Sequence, residues 1–353
     1  MDPQIIQSIV VILQAFIVAT VLMLAFGGLT VIERKMVARF TLRYGPNRVG
    51  KFGSLQILAD MLKMFFKEEV IPGHVDRLVY LIAPGLALVP ALIAFAVIPI
   101  AGQPIVLPVE IFGATITINP WIANVNVGIL YLLAVGSLGT YGVVLGGWSS
   151  NNKYSLLGGL RTSAQMLSYE LPMGVALLSV ILVAGTLNLN EIVKVQGGFG
   201  GLGWFIFIQP IAFLIYFISG LAEAGRAPFD LPETENELIG GFATEYGAMK
   251  FGLFFGAEYV HMIVISSIAA TLFLGGWQGP LATQYPWFWL QPIYFLLKMA
   301  LFIFLFIWIR ASIPRVRFDK MMKFCWKFLL PLGVVNLFVT ALIIAILRFG
   351  SPF

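Results

Sequence analysis

The chain has 353 residues, 59% of them hydrophobic and 11% charged, with a mean hydropathy of +0.92, which excludes a water-soluble globule. Lys and Arg number 22 against 17 Asp and Glu, and a net charge of +5 in so apolar a chain marks the inner flank of a membrane protein rather than a nucleic-acid surface. One cysteine, Cys325, and two histidines, His74 and His261, exclude an iron–sulfur cluster, a thiolate zinc site or a haem attachment motif built by this chain alone.

Met1-Asp2-Pro3 lacks a basic leader, and the apolar run that follows is long, so the N-terminus reads as a first spanning helix rather than a cleaved signal peptide. Runs of about 20 apolar residues predict an all-α polytopic membrane protein, a single transmembrane domain over 1–353. The spans number about eight: 9–32, 78–101, 123–147, 160–186, 204–222, 250–275, 288–309 and 328–347. Of the 22 basic residues, 19 lie in or beside the odd-numbered connections. The positive-inside rule then puts those connections inside and both termini outside. The outer connections read as short and nearly uncharged, and no internal repeat is evident, which weighs against an inverted-repeat transporter.

The first inner connection, 33–77, is basic. It runs from Glu33-Arg34-Lys35 through the turn-rich Arg43-Tyr44-Gly45-Pro46-Asn47-Arg48. Leu55, Leu58, Met61, Leu62, Phe65 and Phe66 then alternate with Gln56, Asp60, Lys63 and Lys67 at helical spacing, the pattern of an amphipathic helix lying on the bilayer. Such a helix serves equally as a passive anchor or as the lip of an entrance for an amphiphile.

In the third span Gly136, Gly139, Gly142 and Gly146 recur at three- and four-residue intervals, which lets a second helix approach closely. Gly198 to Gly203 matches a dinucleotide-loop pattern, but it follows no buried strand and reads as an outer turn.

Ionisable groups inside spans are costly and are kept for pairing, ion passage or proton relay. The fourth span carries Glu170 beside Tyr169, the sixth Glu258 beside Tyr259 and one turn from His261, and the seventh Lys298. Arg161 and Arg310 mark inner helix ends. Either carboxylate could pair with Lys298 or Arg161 as a structural salt bridge; the set together could also pass protons. The inner loop between the fifth and sixth spans, 223–249, is acidic: Glu223, Asp230, Glu233, Glu235, Glu237 and Glu245 face Arg226 alone. A helix start capped by Asp230, with Glu233 three residues on, accounts for part of it.

These motifs, in this order, resemble the quinone-site membrane subunit of the proton-pumping NADH:quinone oxidoreductase, respiratory complex I. The resemblance rests on Glu33-Arg34-Lys35, Arg43 to Gly50, Gly147-Trp148, Asn152 to Gly158, Ser168-Tyr169-Glu170, Glu223 to Glu233, Glu245-Tyr246, Ala257-Glu258-Tyr259 and Trp308 to Ser312. It implies a quinone chamber and lateral entrance at Glu33, Arg34, Arg43, Asp60, Arg226, Phe229, Asp230, Glu233, Glu235 and Glu237. It implies a proton path through Glu223, Glu245, Glu258, Tyr259, Glu170 and Tyr169, near Arg161, Arg310 and Lys298. Quinone would be the substrate, and FMN and iron–sulfur clusters would belong to partner subunits. The implied partners are membrane lipid, peripheral-arm subunits at the inner loops, and small and antiporter-like membrane subunits laterally, with no nucleic acid. The implied location is the bacterial cytoplasmic membrane. Ser137 stands where some relatives carry an acid in the third span, which puts a relay through that helix in question. The alternatives are a stand-alone ion or solute transporter, a docking scaffold, and the membrane anchor of a related hydrogenase-type complex.

Overall fold

Residues 3–111, 114–230, 240–280 and 289–349 are described by a computed structural model. The first helix, α1 (Pro3–Phe40), has 38 residues. At 1.5 Å per residue it extends roughly 57 Å, well beyond a hydrocarbon core of about 30 Å. Glu33, Arg34 and Lys35 are therefore helical, on the inner extension of α1, and not part of a loop. The true loop runs from Thr41 to Leu55, and Lys35 Nζ donates to the Phe52 carbonyl across it at 2.5 Å.

The amphipathic stretch forms α2 (Gln56–Phe66). It packs on α1 and on a central helix further along the chain (Ala248–Phe273), with Ile57 and Met61 beside Gly27 and Met64 beside Gly252. Leu58, Leu62, Phe65 and Phe66 face outward, exposed.

Then follow α3 (Arg77–Ala94), the antiparallel hairpin β1 (Ile105–Ile111) and β2 (Ala114–Ile118), α4 (Gly128–Ser149) and α5 (Lys153–Ala184). The hairpin is a short addition to an otherwise helical chain, in the connection between α3 and α4. Its β-branched residues favour extended backbone, and the register shifts between Val106 and Glu110, around Pro108, which cannot donate to the ladder. Gln7 and Gln14 of α1 donate to the Thr117 and Asn119 carbonyls, tying this segment to the first helix.

Short helices α6 (Leu189–Val195), α7 (Gly198–Gly201) and α8 (Phe205–Ile208) lead to α9 (Pro210–Glu223). The Gly198–Gly203 stretch thus begins as a helical turn, and the element directly before it is the helix α6 rather than a strand. The expected fifth span is broken: Gln209 has φ −127° and ψ 56°, and Pro210 lacks the N–H that would continue α8. The 14 residues of α9 are fewer than a full span needs.

The chain continues with the central helix, α10 (Ala248–Phe273), then α11 (Leu290–Ser312), α12 (Phe318–Phe324), a π turn (Cys325–Leu329) and α13 (Leu330–Phe349). Among the described residues, seven helices are long and apolar enough to cross a membrane, α12, the π turn and α13 acting as one. The core forms around α10, of whose most apolar window 72% is buried, against 11% for α1. Gly142 allows α4 to close on α3: a Cβ there would lie 2.4 Å from the Ala87 nitrogen.

Candidate functional site

Three distant segments meet where α1 terminates, at the end of the bundle that the basic residues of the sequence mark as inner. Glu33 of α1 receives Arg226, from the loop after α9, at 3.4 Å, and pairs with Arg310 at the end of α11. Glu33 and Arg226 are buried, 5% exposed each. The Arg226 guanidinium lies 3.9 Å from the centre of the Tyr259 ring of α10, a cation–π contact. Burial works against the Arg226 charge, but Glu33, Tyr259 and Glu258 outweigh it and hold its pKa above the ordinary arginine range.

Beside this cluster opens a basin of about 400 Å³, lined by Glu33, Arg34, Arg43, Tyr44, Phe255, Tyr259 and Arg310 among others. Arg34 pairs with Asp60 of α2 at 2.9 Å, and Gln56 donates to the same carboxylate at 2.9 Å. The amphipathic helix is thereby fastened beside the basin by its polar edge while its apolar face stays exposed. Arg43 donates to the Thr41 hydroxyl at the basin's rim.

The segment 224–230 is held from above by α5. Gln165 donates to the carbonyls of Ala222 and Phe229, both at 2.7 Å. Tyr169 donates to the Met321 carbonyl at 3.1 Å and packs on Phe229. Asp230, 3% exposed, accepts from Arg315 at 3.2 Å. Glu233, Glu235 and Glu237, and the capping box expected there, lie outside the described residues. Across the bundle, Glu245 accepts from Asn152 at 2.7 Å, and its carbonyl accepts from Tyr80. Tyr246 stacks on Tyr80 at 4.2 Å and bonds Ser149; burial raises the Tyr246 pKa, partly countered by that hydrogen bond.

The interior carboxylates form a second group. Glu223, at the end of α9, meets His261 of α10, with Oε1 to Nε2 3.1 Å. Its Oε2 is buried and has no hydrogen-bond partner among the described residues. A cavity on the inner side of this pair is lined by Glu258, Glu223, His261, Thr162 and Gln165 among others. A second, nearer the bundle's middle, is lined by Glu170, Glu223, His261 and Tyr216, the rest being apolar. Glu170 also lines an open groove between α4 and α5, together with Ser137, Thr140 and Tyr141. Ser137 there bonds its own helix, to the Ala134 carbonyl.

Glu33 and Arg226, which the resemblance assigns to the quinone chamber, converge with Tyr259 and Arg310, which it assigns to the proton path, while Glu223, Glu258 and Glu170 gather around the two cavities. Lys298 does not join them. Its ammonium donates to the carbonyls of Leu274, Gly276 and Gln278 at 2.5 to 2.9 Å, closing the C-terminal end of α10, with the Trp204 ring 5.1 Å away. Arg161 lies over the Phe318 ring at the inner end of the bundle. His261, read in the sequence as one of the buried titratable groups one turn from Glu258, meets Glu223 of α9, a partner that its position along α10 did not indicate.

A family model described as NADH dehydrogenase matches residues 13–341. The chain is 50% identical over 317 residues to the H-type subunit of the NADH-quinone oxidoreductase of Protochlamydia amoebophila, covering 90% of this chain and 92% of the relative. It is 47% identical to an H-type subunit of the same enzyme of Geobacter sulfurreducens, covering 94% of each chain. With subunit 8 of the Thermus thermophilus enzyme it shares 48% identity, over 95% of this chain and 87% of the relative. A match of this extent leaves one assignment: the chain belongs to the NADH dehydrogenase family, as an H-type membrane subunit of NADH-quinone oxidoreductase.

Proposed function

We propose that this subunit supplies the membrane part of the quinone chamber and its lateral entrance, and that it couples quinone reduction to proton translocation through its buried carboxylates. The observation carrying this reading is the adjacency of Glu258 and Tyr259 on α10: Tyr259 faces the basin with Glu33 and Arg310, and Glu258 faces the cavity with Glu223 and His261. A charge change in the first compartment therefore acts on the second across one residue.

The exposed apolar face of α2 receives the quinone tail from the bilayer, and the polar rim of Arg34, Asp60 and Arg43 passes the head group inward. Glu33, Arg226 and Arg310 orient the head group by hydrogen bonds and fixed charge. Asp230 and Phe229 form the side towards the peripheral arm, whose FMN and iron–sulfur clusters deliver electrons, and Glu233, Glu235 and Glu237, outside the described residues, add negative charge to the same stretch of sequence. Reduction adds negative charge, and protons shift among Glu223, Glu245, Glu258 and Glu170 in answer. They leave sideways at the α4–α5 groove, towards small and antiporter-like membrane subunits. The inner loops face the cytoplasm of a bacterial cell and both termini face outward.

A photoreactive quinone bound to the intact complex tests the chamber. Adducts are expected on α2, the 41–55 loop and the 224–230 segment; adducts confined to other subunits refute the assignment.

A further inference from the structure

The compartments inside this bundle follow one another in a fixed order. The inner cavity and the middle cavity have two lining residues in common, Glu223 and His261. The middle cavity and the lateral groove share Glu170. Leu133 also lines both of those spaces, but it is apolar and cannot take a proton. The walls of the middle cavity are otherwise mostly Leu, Ile and Val, so a proton crossing it has few stations.

We infer that His261 is the proton-carrying group that joins the inner cavity, with Glu258 and Glu223, to the middle cavity, with Glu170. This rests on the reading that the buried carboxylates carry the coupling protons, and it adds a titratable group that the family resemblance did not supply. Four observations support it. His261 stands three residues after Glu258, on the same face of α10. Its Nε2 is 3.1 Å from Glu223 Oε1, while Glu223 Oε2, on a side chain 8% exposed, has no hydrogen-bond partner among the described residues and is left for a proton or a water. The inner and middle cavities have about 50 and 30 Å³ of room for water centres, against the ~10–15 Å³ that one water needs. The charged or titratable groups facing the ring come from three elements: Glu223 and Tyr216 of α9, Glu170 of α5, and Glu258 of α10 itself.

The step balances simply. A proton arriving from the Glu258 side at one ring nitrogen makes the imidazolium. The ring then releases a proton from the other nitrogen to a carboxylate facing the middle cavity and returns to neutral, and no electrons move. A Gln in its place can keep a hydrogen bond to Glu223 but cannot carry a proton.

The test is His261→Gln in the assembled complex in liposomes, with Glu223→Gln and Glu170→Gln alongside. Proton translocation per NADH oxidised is measured, together with the pH profile of coupled turnover. The expected result for His261→Gln is a loss of proton translocation of about ten-fold or more and a changed shape of the pH profile. Wild-type translocation in His261→Gln with both Glu variants impaired overturns the role of His261 and leaves the carboxylate reading standing. Wild-type behaviour in all three overturns both. A lower rate with an unchanged pH profile makes the pair structural and refutes the inference. If His261→Gln does not assemble, His261→Asn takes its place; failure of both to assemble assigns the ring to packing and likewise refutes it.

Discussion

Arg226 and Glu33 lie 193 positions apart in sequence, yet their side chains meet at 3.4 Å inside the protein, each 5% exposed. Removing one member of such a pair costs more than the pair contributes, because the survivor stays charged and dry. Glu33→Gln leaves Arg226 and Arg310 facing each other, and is expected to destabilise the subunit by about 3–5 kcal/mol. The melting temperature of the purified complex reads this out. Glu33→Asp, which keeps the charge, is expected to lose less.

Lys298 is a cap, and its removal separates stability from coupling. Lys298→Met leaves the carbonyls of Leu274, Gly276 and Gln278 without their donor. The expected cost is about 1–3 kcal/mol for each carbonyl that stays dry. Protons translocated per NADH are expected to stay at the wild-type value. A lower ratio in assembled Lys298→Met complex returns Lys298 to the proton path.

The carboxylates are expected to behave in the opposite way. Glu170→Gln and Glu258→Gln preserve shape and remove the proton site, so assembly and uncoupled electron transfer survive while coupled turnover falls. Wild-type coupling in both variants refutes a relay through α5 and α10.

The outward face of α2 predicts a substrate-length effect. Phe65→Glu puts a charge on a face of exposed Leu58, Leu62 and Phe66. KM is expected to rise several-fold for a long-tailed quinone and to change little for a short-tailed analogue, with kcat kept for both. Equal effects on the two quinones count against an entrance at this helix.

Tyr246 gives a pH dependence with a definite sign. Burial raises its folded-state pKa above the usual 10.0, so its contribution to stability is complete below that pH. It is lost as pH rises from there through the folded value. Tyr246→Phe removes one hydrogen bond to Ser149, about 0.5–1.5 kcal/mol at neutral pH. It is also expected to flatten the alkaline fall in stability. An identical alkaline fall in both proteins refutes this.

Hydropathy made most of the fold legible, because a run of apolar residues must be helical to satisfy its backbone in lipid. It misread the fifth span, since Phe205 to Gly220 is continuous in hydropathy while its hydrogen-bond ladder breaks at Gln209–Pro210. It missed the hairpin because strand alternation over a few residues is faint beside helical runs of 20 or more. The polar anomalies were legible as a set, since each buried charge stands out on composition alone. Their partners were not. Glu170 and Lys298 look like equivalent intruders in sequence, but one opens on a cavity and a groove while the other is spent on three carbonyls. Backbone acceptors at a helix end carry no side-chain signature, so only the folded chain tells the two apart.

The cap formed by Lys298 also bears on the direction of ion flow. An ammonium held by three carbonyls keeps its positive charge at the C-terminal end of α10, and a second positive charge approaching from the middle cavity is repelled by it. On the proposed reading of the buried carboxylates, this repulsion disfavours passage of a proton past the C-terminal end of α10 and favours its exit at the α4–α5 groove, so the cap works as electrical insulation.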